Sequence, residues 1–207
     1  MTAIYHITHI SNLPGILAEG GLWCDAEAER RGLAAKSIAH QNIKERRKST
    51  AVPCGQGGCV ADYVPFYFAP RSPMLYSIHT GFVAGYEEGQ RGVLHLVSST
   101  ETIRDAGLGF VFTDGHAVMA LTAFYDDFAD LGKIDWAVMK SKYWKDTQAD
   151  PDRKRRRQAE FLVRQFLPFQ YFSEIGVCTT ATAVAAAAQL TDRAGAPRVN
   201  VRTAWYY

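Results

Sequence analysis

Several features are missing from this 207-residue chain, and each absence narrows what it can do. No apolar run is long enough to cross a membrane as a helix. The opening Met1-Thr-Ala-Ile-Tyr-His-Ile7 has neither the charged nor the apolar region of a secretory signal, which predicts a cytoplasmic protein. Cysteine is scarce: of the four, only Cys54 and Cys59 are close. One Cys-x4-Cys without a second matched pair does not make a zinc site, so all four read as structural thiols. There is no Gly-x4-Gly-Lys-Ser/Thr phosphate loop. The glycine-rich stretch Val52–Gly58 has neither the Gly-x-Gly-x-x-Gly spacing nor the preceding strand of a dinucleotide fingerprint. No dense Asp/Glu/His cluster is visible, which argues against a metal-dependent nuclease and predicts no metal. Internal repeats are absent too, and a large charge excess is missing, the formal net charge being +2.

What is present is charge in clumps. Lys44-Glu-Arg-Arg-Lys48 is one basic cluster. Arg153-Lys-Arg-Arg-Arg157 is another, preceded by Lys140, Lys142 and Lys145 with Tyr143 and Trp144 among them. Clumped Lys and Arg interleaved with aromatics is the footprint of a nucleic-acid groove. For either cluster alone a solvated face is an equal reading, and the pair of clusters tips the balance towards a polyanion.

The hydrophobic pattern predicts one domain over residues 1–207. Ile4–Ile10 alternates as a strand with His6 and Thr8 on one face, and Ser11 is placed to cap a helix from Asn12 to about Glu19. Residues 40–48 read only as polar and basic. Phe66–Ala69 reads as a short buried strand between Pro65 and Pro70, turning through Arg71-Ser72-Pro73 into a helix capped by Ser72. Strands follow at 92–98 and 110–113, then helical spacing from His116 to Phe128. A compact apolar run spans 159–167, a strand lies near 171–178, an alanine-rich helix covers 179–190, and an alternating strand closes the chain at 199–206. Strands outnumber helices without regular alternation, so the expected class is α+β.

Three separated pieces resemble the ADP-ribosyltransferase superfamily: His6-Ile-Thr8 on the first strand, Phe66-Tyr-Phe-Ala69 with the Ser72 helix start, and Glu160 entering a late apolar strand. A closer resemblance spans most of the chain. Asn12-Leu-Pro-Gly-Ile-Leu17, Asp62-Tyr-Val-Pro-Phe-Tyr-Phe68, Ser72-Pro-Met-Leu75, His79-Thr-Gly81, Val111-Phe-Thr-Asp-Gly-His-Ala117 and Gln158-Ala-Glu160 together are similar to the DarT family of toxins. That resemblance implies a split, mainly antiparallel sheet with flanking helices. It implies transfer of ADP-ribose from NAD+ onto a base of single-stranded DNA, thymidine in the best-known branch, blocking replication until a macrodomain antitoxin removes it. The expected assembly is a monomer.

The resemblance also distributes roles. Glu160 is the expected catalytic carboxylate, orienting a ribose hydroxyl and stabilising the oxocarbenium-like charge that develops as nicotinamide leaves. Without the resemblance, a surface glutamate paired with a neighbouring arginine is the simpler reading. His6 and Thr8 would hold the cofactor, Tyr67 would stack on nicotinamide, Ser72 would bond its carboxamide, and Asn12 and Met74 would line the same cleft. Arg47 would position or activate the acceptor base, with a phosphate contact or plain solubility as the equal alternative. Asp114, His116, Lys142, Trp144, Arg153 and Arg155 are candidate DNA contacts, and about 117–157 would be the target-recognition insertion. Two other functions compete: an NAD+-dependent RNA 2′-phosphotransferase on a related fold, which has no need of Glu160, and a catalytically silent nucleic-acid-binding module.

Overall fold

The architecture was obtained as a computed structural model, which describes residues 1–191 and 193–207. The ten strands are β1 (Ala3–His9), β2 (Gly21–Trp23), β3 (Tyr63–Tyr67), β4 (Val93–Ser99), β5 (Phe110–Thr113), β6 (Phe124–Tyr125), β7 (Glu160–Arg164), β8 (Phe166–Pro168), β9 (Glu174–Val177) and β10 (Arg198–Val201). Eight of them form one sheet in the order β10-β9-β4-β1-β3-β7-β5-β6, and β2 pairs with β8 apart from it. Among the described residues, only β9 and β10 pair in parallel within the large sheet. The helices are α1 (Leu13–Ala18), α2 (Asp25–Arg30), α3 (Gln41–Ser49), α4 (Pro73–His79), α5 (Thr100–Asp105), α6 (Trp136–Lys140), α7 (Arg153–Arg156) and α8 (Thr180–Ala188). This is the expected α+β class, with a mainly antiparallel sheet.

The central strands are buried on both faces, and their composition follows. Every residue of β4 is buried, and β7 is buried from Glu160 to Val163. Phe66, Phe112 and Phe161 are fully enclosed, and Phe110 and Phe161 stack with ring centroids 5.3 Å apart. Offset aromatic pairs of this kind add to the area they bury. Ser72 caps its helix as the sequence predicts, its Oγ accepting from the Leu75 N–H at 3.1 Å, and Ser99 Oγ likewise accepts from the Thr102 N–H at 3.1 Å at the start of α5.

The structure departs from the sequence reading at several points. Ser11 caps nothing: residues Ile10–Asn12 form a 3-10 turn, α1 begins after Asn12, and the Ser11 hydroxyl lies 2.8 Å from His9 Nδ1. The helical spacing of 116–128 is not realised. Thr122 Oγ1 bonds the His116 carbonyl, and Asp114 Oδ1 accepts from the Ala123 N–H, closing a loop before the short β6. Side chains that bond backbone locally in this way compete with helix. The basic stretch 40–48, given no element, is helix α3; it has no apolar stripe to reveal it, and Arg47 is its buried residue. The final strand ends at Val201, and the 3-10 turn Thr203–Trp205 follows, with Tyr206 extended after it.

Candidate active site

A cleft opens where β1 and β3 part. Along β1 the pairing with β4 is continuous, from Ala3 opposite Ser99 to His9 opposite Val93. With β3 it is limited to Tyr5 opposite Tyr67. His6 Nδ1 reaches across the gap to the Pro65 carbonyl at 2.8 Å. The cleft has a volume of about 330 Å³ and a mostly apolar wall that includes His6, Thr8, Asn12, Trp23, Tyr67 and Met74. An apolar pocket with a few convergent polar groups is the usual form of a small-molecule site.

Each polar group on this wall has a defined state. Burial lowers the His6 pKa, the bond to Pro65 only partly opposing it. The ring is therefore neutral, donates from Nδ1 to the Pro65 carbonyl, and leaves Nε2 as an acceptor for a ligand hydroxyl. Asn12 is fully engaged within the protein. Its Nδ2 donates to Thr8 Oγ1 at 3.0 Å and to the Lys36 carbonyl at 2.9 Å, and its Oδ1 accepts from the Lys36 N–H at 2.7 Å. Asn12 thus clasps the irregular segment 33–39, several residues of which line the cleft. Glu88 pairs with Lys36 from the other side and lies 3.2 Å from His9 Nε2.

Tyr67 joins the cleft to a second, buried cluster. It lines the cleft and stands opposite Glu160 in the β3–β7 register. Glu160 is 3% exposed. Its Oε2 accepts from Arg47 Nη1 at 2.7 Å, its Oε1 accepts from the Ala117 N–H at 3.1 Å, and His116 Nδ1 stands 3.4 Å from Oε1. Burial alone would raise the Glu160 carboxyl, but the Arg47 guanidinium and the His116 ring outweigh it and hold it at about 2. Burial pushes the Arg47 guanidinium down, and Glu160 outweighs this, raising it above its ordinary value. Burial raises the Tyr67 hydroxyl, with the Glu160 charge adding to it, so the phenol is protonated. Among the described residues Arg47 Nε and Nη2 have no hydrogen-bond partner although both are buried. Two orphaned donors beside an ionised carboxylate are a place for a polar ligand, because such groups are costly to leave unmet.

The other residues singled out from sequence fall elsewhere. Ser72 is 1% exposed and its oxygen caps α4. Met74 lines the cleft. Trp144 is 8% exposed, its ring edge-on to Tyr76 and its Nε1 donating to the Tyr207 hydroxyl at 3.3 Å. It is a core residue rather than a stacking platform: the indole is too large and apolar to leave in water when α4 lies beside it. Arg155 is held by Asp114 Oδ1 at 2.9 Å and by Asp152, and it passes over Gly115, where any side chain would collide with it. Asp114 and Arg155 therefore brace the loop around His116. Arg153 donates to the Tyr143 carbonyl at 2.7 Å, and Lys142 is exposed. Among the described residues no group of three or more His, Cys, Asp or Glu side chains could hold a metal ion, and no helix is long and apolar enough to cross a membrane.

Sequence reading missed the Ala117 N–H on Glu160, because a backbone donor leaves no mark in composition. It also missed Arg46, whose Nη2 donates to the Val118 carbonyl at 2.6 Å. The adjacent Arg46-Arg47 pair was visible, but not that one arginine serves the carboxylate and the other the loop.

The family model described as "ssDNA thymidine ADP-ribosyltransferase, DarT" matches residues 5–207. A "DNA ADP-ribosyl transferase" of Thermus sp. (strain 2.9) is 42% identical over 208 residues, covering 100% of this chain and 96% of the relative. The fold is similar to that of Thermus sp. 2.9 DarT in complex with ADP-ribosylated ssDNA, with a TM-score of 0.93, 42% identity and coverage of 100% of this chain and 96% of that one. It is similar also to Thermus sp. 2.9 DarT in complex with NAD+, with a TM-score of 0.90, 40% identity and coverage of 100% and 98%. A "DNA ADP-ribosyl transferase-DNA ADP-ribosyl glycohydrolase fusion protein" of Thermosipho africanus is 31% identical over 176 residues, 84% of this chain and 42% of that protein.

Proposed function

This chain belongs to the DarT family of single-stranded DNA thymidine ADP-ribosyltransferases, and on that premise we propose how its residues divide the reaction. The protein is an NAD+-dependent DNA ADP-ribosyltransferase: it transfers ADP-ribose from NAD+ to a thymidine base in single-stranded DNA. NAD+ is consumed as a substrate. The nicotinamide–ribose bond breaks with its electron pair going to nicotinamide, and a thymine ring nitrogen bonds to the ribose carbon as its proton passes to solvent.

The observation that carries the assignment of roles is the buried Arg47–Glu160 pair, with two guanidinium donors left over. Glu160, ionised far below neutral pH, supplies negative charge where the ribose becomes positive and accepts from its 2′-hydroxyl. A ribose hydroxyl entering past Tyr67 competes with Arg47 for Oε2. Arg47 cannot serve as a base, since its guanidinium stays protonated. It acts as a donor to a thymine carbonyl, drawing charge from the ring and easing loss of the ring proton. His6 Nε2 accepts from the adenosine-side ribose, Tyr67 packs on nicotinamide, and Thr8 and Met74 complete the wall. Asn12 acts indirectly, by holding the 33–39 segment over the cofactor. Ser72 supports the site through its cap on α4, and its hydroxyl hydrogen remains to bond the carboxamide.

The segment from about 117 to 157 is the target-recognition part of a single domain, its start fixed to Glu160 through the Ala117 N–H. His116 sits at the acceptor side of the carboxylate, and Lys142 and Arg153 contact the strand. A glycohydrolase of the kind fused to the Thermosipho relative is the proposed antagonist. The toxin acts by leaving modified template that stops replication, and unpaired bases spare it the cost of flipping one from a duplex.

Intact mass spectrometry of a mixed-sequence single-stranded oligonucleotide, incubated with protein and NAD+, tests this reading. One added ADP-ribose is expected on single-stranded DNA and not on RNA or duplex, and is lost with Glu160→Ala. Transfer that survives Glu160→Ala would overturn the assignment of the carboxylate.

A further inference from the structure

The cations of the 140–157 region differ in what neutralises them. Arg155 is paired with Asp114 and Asp152, and Arg156 with Asp135, Asp150 and Asp152. Arg153 and Arg157 have no carboxylate within ion-pair distance among the described residues. Arg153 donates to the Ser141 hydroxyl and the Tyr143 carbonyl. Arg157, 5% exposed, donates to the carbonyls of Val138, Met139 and Arg71. Nor do Arg71, Lys140, Lys142 and Lys145 meet a carboxylate among the described residues. The Arg71 guanidinium lies 5.5 Å from the Tyr207 ring centroid, and its buried Nε has no partner among the described residues.

These groups form one region. The Arg71 carbonyl accepts from Arg157 and from the Tyr207 hydroxyl at 3.2 Å, and that hydroxyl accepts from Trp144. Arg157 also grips the end of α6 beside Lys140, and Arg153 grips the backbone at Tyr143. Tyr143 stands in the middle of the lysines, 75% exposed. An exposed aromatic ring among uncompensated cations is the arrangement that single-stranded nucleic acids bind, with phosphates on the charges and a base on the ring. The mutual repulsion of Arg71 and Arg157, which adds to the burial that lowers the Arg157 pKa, is what a bound anion would relieve.

Resting on the DNA-modifying function above, we propose that Arg71, Lys142, Lys145 and Tyr143 form a phosphodiester track for single-stranded DNA. Arg71, one residue before Ser72, carries it towards the cleft. Arg157 sits behind the track, adding charge and fixing Arg71, without touching the strand. The track reads no sequence, since phosphates and ring faces are common to all bases. Its contribution is to affinity and is therefore dependent on salt.

The test is equilibrium binding of fluorescent single-stranded oligonucleotides without NAD+, so that no transfer occurs, across a salt series. Removing one cation that meets a phosphate should make the slope of log K against log[salt] shallower by about 0.7. Arg71→Gln is expected to show that change, and Lys142→Gln with Lys145→Gln about twice it. Tyr143→Ala should weaken binding about 10-fold with little change in slope, as loss of one stacked base requires. All should weaken oligonucleotides of different sequence equally, and Arg104→Gln, on α5, serves as the off-track control. The exposed lysines and Tyr143 keep the test decisive if Arg71→Gln does not fold. Unchanged affinity and slope in the lysine and tyrosine variants would overturn the track, as would a loss confined to one sequence. A loss of NAD+ affinity with Arg71→Gln, DNA binding being intact, would instead assign Arg71 to the cofactor and overturn its place in the track. Absence of ADP-ribose transfer by the unaltered protein would count against the function itself, so the two failures are distinguishable.

Discussion

Arg47 and Glu160 meet at 2.7 Å in the interior, and they come from elements far apart in the chain, α3 and the first residue of β7. Each favours the charged form of the other against the cost of burial. Removing one leaves the partner as an unpaired buried ion, which costs about 3–5 kcal/mol of stability. Arg47→Ala should therefore lower the melting temperature as well as activity, whereas Glu160→Gln keeps the side-chain shape and one acceptor oxygen, enough for Arg47 or for the Ala117 N–H but not for both. Glu160→Gln is expected to reduce transfer by about 10²–10³-fold or more, through loss of transition-state charge stabilisation. Arg47→Lys keeps the charge but not the planar fork. It should retain much of the stability and lose transfer to DNA. Calorimetry and single-turnover transfer on the three variants check the pattern. Equal transfer by Arg47→Lys and the unaltered protein would show that the fork has no acceptor to hold.

The clasp at Asn12 predicts a cofactor effect without direct contact. Its amide meets both backbone groups of Lys36. Asn12→Asp keeps the acceptor for the Lys36 N–H but places a carboxylate against the Lys36 carbonyl, while Asn12→Ala removes both bonds. Losing such bonds costs about 1–3 kcal/mol when the partners are left unmet. The expected result is a KM for NAD+ raised about 10-fold, within that range, with kcat little changed and faster amide exchange confined to 33–39. Altered kcat with unchanged exchange would place Asn12 in contact with the substrate instead.

A buried histidine away from the chemistry sets the acid limit of stability. His95 lies between the Tyr206 hydroxyl at 3.1 Å and the Pro70 carbonyl at 3.0 Å, and burial lowers its pKa to about 4. Between the ordinary value of 6.5 and 4, the unfolded chain binds a proton that the folded one does not. Stability is therefore full above 6.5 and lost as pH falls towards 4, by on the order of 3 kcal/mol. His6, lowered by burial too, acts in the same direction. Glu160 works in a separate window: its depressed carboxyl holds stability above 4.5 and loses it only as pH falls towards 2. Melting temperatures from pH 7.5 to 4.5 should decline, and His95→Gln should flatten the decline. An unchanged slope in that variant would locate the proton uptake elsewhere.

How much of this could be read from the sequence depends on where each residue's reason for being there lies. The β1 strand and the Ser72 cap were legible because period and capping chemistry are local. The strand expected over Phe66–Ala69 lies instead at Tyr63–Tyr67 with Pro65 inside it, and β7 was legible only as an apolar run that the resemblance made a strand. Their role as a split sheet was not local and came from resemblance. Helix α3 was opaque, its inward residue being an arginine rather than a leucine, so its pattern looked like solvent-facing charge. The 116–128 stretch misled in the opposite way. Its Val118, Leu121 and Phe124 have helical spacing, yet Leu121 is 83% exposed and Asp114 and Thr122 close the loop through side-chain bonds. Trp144 misled by composition, an aromatic among lysines that packs inward beneath them.

That inward packing makes Trp144 a test of the distinction between core and groove. Its ring meets Tyr76 at 5.7 Å between centroids. Trp144→Ala should cost about 3–5 kcal/mol, the range for a large core aromatic. Trp144→Phe keeps most of the buried area and loses the bond to Tyr207, so a smaller loss is expected, with DNA affinity near that of the unaltered protein. Denaturant titration and oligonucleotide binding separate the effects. Native stability with lost DNA binding would return the indole to the groove.

Arg46 is adjacent to Arg47 yet turns to a different partner. Its Nη2 donates to the Val118 carbonyl, one residue after the Ala117 N–H that Glu160 accepts. α3 is thus tied to the 117–122 loop twice, through the Arg47–Glu160–Ala117 chain and directly through Arg46. The second tie fixes how Ala117 presents its N–H, and so which way the Glu160 carboxylate faces. Arg46 is therefore a positioning residue. Arg46→Ala should lower kcat for DNA modification about 10-fold, the scale of one lost hydrogen bond to a charged donor. Affinity for NAD+ should hold, because the cleft wall is untouched. Arg46→Lys reaches the same carbonyl with one charged donor and should recover most of the rate. A merely structural arginine would give a different result: reduced stability in both variants, rates unchanged per folded molecule, and no rescue by lysine. Transfer kinetics normalised to the folded fraction decide between the two.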